Sequence, residues 1–168
     1  MIVMKNVACL SFLLVLASCS PMKITYTKST DAVNFAKYKT FNFYELKASG
    51  DTITKNFTER TNILKSAIIT EMSKRGYTQS STHPDLLINI GIVVREQSQL
   101  SEPSSPVNIL GLYREAAVSL DIVDAAENKV VWKGSIAGIV PSIKSSAQKQ
   151  TASGMKKLFE RYPVEINH

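Results

Sequence analysis

The chain has 168 residues, 44% of them hydrophobic and 20% charged, with a formal net charge of +6. That length carries one domain with its own core and excludes a large multidomain enzyme. Seven glycines and six prolines without a short period exclude collagen-like and low-complexity material, and the apolar fraction excludes a disordered chain.

The first eighteen residues carry one cation, Lys5, then an apolar run over 7–16 broken only by Ser11, then the small residues Ala17 and Ser18. This is the layout of a secretory signal peptide. A membrane-spanning helix needs about 20 apolar residues, and Ser18, Ser20, Pro21 and Lys23 end the run short of that. The next step rests on Leu16-Ala17-Ser18-Cys19, which resembles the lipobox of bacterial lipoproteins and sits directly behind the apolar run. The resemblance implies that Cys19 is lipidated, with a diacylglyceryl group and an acylated amine, and that residues 1–18 are removed. Cys9 then leaves with the leader and Cys19 becomes a thioether. The single disulfide that two cysteines would suggest in an exported protein is therefore not expected, nor is thiolate ligation of a metal.

Two or more acyl chains hold a protein stably to a bilayer, where one does not. Ser20 is not the aspartate associated with inner-membrane retention, and Ser20-Pro21-Met22-Lys23 lacks an acidic export pattern. The expected location is the cell outer membrane, facing the periplasm. Loss of the leader removes only Lys5 from the charge count and leaves a surplus of about +5. The cations are scattered, with no run longer than Lys74-Arg75 and Lys156-Lys157, which is a solvated surface and not a nucleic-acid stripe.

Residues 19–22 form a short lipid-anchored tether. Residues 23–28 alternate with the period of two expected of a strand, and 39–44 form a second candidate with Phe41 and Phe43 on one face and Tyr44 on the other. A polar loop over 48–56 precedes a helix whose stripe is Leu64, Ala67, Ile68 and Met72, with Thr58 as N-cap and Gly76 as its stop. Residues 78–84 form a polar link. Leu86, Ile88, Ile90, Ile92 and Val94 then alternate as the inner face of a strand, and 96–111 form a long loop rich in Ser, Pro and Gln. Residues 112–124 and 130–140 make a hairpin around a turn at 125–129. Ala147, Thr151, Gly154, Met155, Leu158, Phe159 and Tyr162 line the inner face of a second helix stopped by Pro163. The expected fold is α+β: a two-layer sandwich of a mostly antiparallel sheet of about five strands, with two helices packed on one face. It occupies 23–163, with 164–168 as a tail.

Three stretches in order carry a family resemblance: Asn34-Phe35-Ala36-Lys37-Tyr38-Lys39-Thr40-Phe41, then Pro84-Asp85-Leu86-Leu87-Ile88, then Leu120-Asp121-Ile122-Val123-Asp124 running into Lys129-Val130-Val131-Trp132-Lys133-Gly134. Together they resemble the DUF4136 family of bacterial lipoproteins over roughly 23–163. Asn34 stands where an Asp is common and Phe43 where a Trp is common. The resemblance implies a periplasm-facing α/β domain on a lipid anchor and carries over no catalytic residue. Read as packing, Lys37-Tyr38 is a strand entry, Asp85 a turn residue and Trp132 a sheet aromatic under a helix.

No P-loop, dinucleotide fingerprint or zinc-ligand spacing occurs. Only His83 and His168 are present, and His83-Pro84-Asp85 lacks a third partner. Glu115, Asp121 and Asp124 share one strand, with Glu115 and Asp121 on one face and Asp124 of opposite parity near the turn. The sequence thus predicts no catalytic residue, no cofactor and no metal ligand, and one modified residue, Cys19. The expected role is a non-catalytic binding module. It would take an envelope protein or peptidoglycan as partner through the 96–111 loop or a sheet edge, the membrane through its lipid, and no nucleic acid. The alternative is a hydrolase of cell-wall glycan or lipid using the hairpin carboxylates. Deleting 98–106 is expected to spare the fold and weaken partner capture.

Overall fold

The computed structural model describes residues 22–44, 55–98, 112–139 and 143–166. In chain order the elements are β1 (Lys23–Ser29), a 3-10 turn (Phe35–Lys37), β2 (Thr40–Phe43), α1 (Lys55–Ser73), β3 (Thr78–Gln79), β4 (Leu86–Ser98), β5 (Leu112–Asp124), β6 (Lys129–Ile139) and α2 (Lys144–Phe159). They form one six-stranded sheet in the order β1-β6-β5-β4-β2-β3. The fold is α+β as expected, but the sheet is mixed and has six strands. β2 runs parallel to both β3 and β4, while β4–β5, β5–β6 and β1–β6 are antiparallel. A parallel neighbour requires a crossover, and α1 supplies it between β2 and β4. The sixth strand, β3, falls in the stretch expected to be a polar link. Two residues, both exposed, are too few to show any alternation.

The helices cover one face. Leu64, Ile68 and Met72 of α1 and Met155, Leu158 and Phe159 of α2 are buried against Leu86, Ile88 and Ile90 of β4, Leu120 and Ile122 of β5, and Trp132 and Ile136 of β6. Full burial of such side chains contributes roughly 1.5–3 kcal/mol each, so the register of the long hairpin is set by which face these residues occupy. Thr58 is not an N-cap. The chain is already helical at Lys55, three residues earlier. Gly76 does end α1: its φ of 83° is open to glycine at little cost, and Tyr77 N–H then reaches Met72 O at 3.2 Å. α2 stops at Phe159, before Pro163, and Tyr162 lies in the turn that follows, still buried.

A buried ion pair ties the helix ends together. The Arg75 guanidinium donates to Glu71 Oε2 and Glu71 O at 2.9 Å, to Phe159 O at 2.8 Å and, through Nε, to Val164 O at 2.9 Å. Both side chains are 4% exposed. Burial works against the Glu71 charge, yet hydrogen bonds from Lys74 and Arg75 hold its carboxyl below the usual range. The other sheet face carries no helix; small residues meet there in register, Gly91 opposite Ser119 opposite Ser135 and Ala117 opposite Ala137, beside larger ones such as Val93 opposite Ala117 and Asp121 opposite Lys133.

Candidate functional site

The three stretches that carry the family resemblance meet at one end of the sheet, where two carboxylates hold the 34–40 segment. Asp124 is the last residue of β5 and is 3% exposed. Its Oδ1 accepts the N–H groups of Ala126 and Glu127, both at 3.0 Å, which shapes the β5–β6 turn. Its Oδ2 accepts the Lys37 ammonium at 2.9 Å and the Tyr38 hydroxyl at 2.8 Å. Asp85 does the same one residue before β4. Its Oδ2 accepts the N–H of Lys39 at 2.8 Å, the N–H of Thr40 at 2.9 Å and the Thr40 hydroxyl at 2.9 Å, and its own N–H donates back to Thr40 Oγ1 at 3.0 Å. Asn34 caps the 3-10 turn by accepting from Ala36 N–H at 3.1 Å. The Phe35 ring sits edge-on to Tyr38 and Tyr162, with centroids 6.1 and 5.5 Å apart.

The electrostatics follow from those bonds. Burial opposes the Asp124 charge, but the donors from Glu127, Lys37, Tyr38 and Ala126 outweigh it and hold the carboxyl at about 2. The Asp124 bond raises the Lys37 ammonium above the ordinary lysine value, and burial followed by the Asp124 bond pushes Tyr38 up to about 12. Backbone N–H bonds from Lys39 and Thr40 lower Asp85. Every one of these groups keeps a single charge state across neutral pH, the opposite of what proton transfer requires. The cluster holds chain; it is a clasp.

The residues singled out in the sequence fall in separate places. Cys19 and the loop tip at 99–111 lie outside the described residues. Residues 96–98, expected in that loop, extend β4 and pair with β5 as far as Ser98 opposite Leu112. His83 occupies the left-handed region (φ 47°) in a bend before Asp85. Glu115 and Asp121 share the helix-free face, but six residues of straight strand hold them about 20 Å apart, against the 5–9.5 Å needed across a glycosidic bond. Asp121 instead meets Lys133 at 3.4 Å. Asp124, placed by its parity near the turn, is the residue that organises this end. Its partners Lys37 and Tyr38 were legible only as a strand entry, because the contact spans 86 positions.

A shallow groove runs between α1 and α2, lined at its centre by Ala67, Thr70 and Ala152. Among the described residues there is no group of three or more His, Cys, Asp or Glu side chains able to hold a metal ion, and no helix long and apolar enough to cross a membrane.

Solved structures resemble this fold. A PDZ domain protein from Parabacteroides distasonis matches with a TM-score of 0.58 and 19% identity, covering 88% of this chain. The chain spans 36% of that protein's length. The PelC dodecamer from Paraburkholderia phytofirmans matches with a TM-score of 0.50 and 11% identity, covering 80% of this chain and 96% of the other. A minor lipoprotein from Acinetobacter baumannii matches with a TM-score of 0.46 and 11% identity, over 74% of this chain and 91% of that one. A search of curated proteins returns no match. A family model, described as a domain of unknown function (DUF4136), matches residues 25–164, which takes in β1 from its third residue, the clasp, both helices and the other five strands, and the chain belongs to that family.

Proposed function

We propose that this chain is a lipid-anchored lipoprotein of the cell envelope, whose folded domain is a non-catalytic interaction module on the periplasmic face of the outer membrane. The observation that carries the reading is Leu16-Ala17-Ser18-Cys19 placed directly behind the apolar run. Its support from the fold is the position of Met22: the chain enters the domain there, buried at 8% exposure against Gly154 of α2, three residues after the cysteine. The non-catalytic character is supported by the clasp, whose carboxylates are filled by internal donors, and by the separation of Glu115 from Asp121. The helix-free face and the edge of β1 are the surfaces open to an envelope protein or to peptidoglycan.

Expression of the full chain with Cys19→Ala tests the anchor. The substituted protein should accumulate as a precursor that retains its leader and incorporates no labelled fatty acid. Fatty-acid label persisting on the variant overturns the assignment. Crosslinking in intact cells, followed by mass spectrometry of the captured species, reads the partner.

A further inference from the structure

We draw no further inference here: the strongest candidate, the helix-free face of the sheet, where the exposed Tyr26 of β1 stands in register with Ser135, Ser119 and Gly91, is an unpartnered face, and nothing in the structure shows what covers it.

Discussion

Replacing Asp124 by Asn tests the clasp with the smallest change of shape. The Asn carbonyl can still accept from Ala126 and Glu127, so the turn keeps its two bonds, but the amide nitrogen then faces the Lys37 ammonium and the Tyr38 hydroxyl. Lys37 is 48% exposed and turns to water or to Glu127, 3.7 Å away, so its share is small. Tyr38 is buried, and its charge-assisted bond, worth about 1.5–3 kcal/mol, is exchanged for a neutral one. The expected loss is about 2 kcal/mol, or roughly 5–10 °C in Tm for a domain of this size. Urea titration followed by far-ultraviolet circular dichroism measures it at pH 7. The pH dependence gives a second reading. The Asp124 carboxyl is at about 2 in the folded protein against 3.8 for the free group, so its contribution is complete above about 4 and fades as pH falls towards 2. The gap between parent and Asp124→Asn should therefore close over that interval. A difference below about 0.5 kcal/mol at neutral pH, or a gap indifferent to pH, refutes the clasp as a source of stability.

Arg75→Met should cost about 3 kcal/mol, because Phe159 O and Val164 O lose their donor and Glu71 retains only Lys74; hydrogen exchange should show the loss concentrated in residues 160–166. Gly134→Ala should cost about 1–3 kcal/mol, since the new methyl meets the Trp132 ring, whose Cζ2 lies 2.8 Å from the added carbon. A changed near-ultraviolet spectrum from Trp132, the single tryptophan, checks it.

Much of the fold was readable because its elements announce themselves locally. β4 places an apolar residue at every second position from Leu86 to Val94 and β5 does so from Ala116 to Ile122, and α1 and α2 repeat their apolar residues at threes and fours. What escaped was non-local. Thr78-Gln79 joins the sheet only because Thr78 N–H reaches Lys39 O at 2.9 Å and Ser80 N–H reaches Phe41 O at 2.9 Å, contacts 39 positions apart that no window of sequence contains. Parallel pairing of β2 with β4 is likewise a consequence of where α1 returns the chain. Trp132-Lys133-Gly134 was legible as a sheet aromatic, but the need for glycine appears only when the indole is seen folded across residue 134, with Phe159 and Tyr162 centroids 5.9 and 5.3 Å away.

The same distinction bears on what the family signature means. Asp85 and Asp124 are the acidic residues a search for chemistry would choose from those stretches, and both are occupied by donors from 37–40 and from the β5–β6 turn. A residue type repeated in a signature for such a reason marks a way of closing the sheet, and activity has to be sought elsewhere. The clasp also lies at the pole opposite the chain entry at Met22, with the long strands between them. On this chain, then, the recognisable residues close the sheet, whereas the helix-free face, where Gly91, Ala117, Ser119, Ser135 and Ala137 meet in register, is the part of the fold whose sequence is least distinctive.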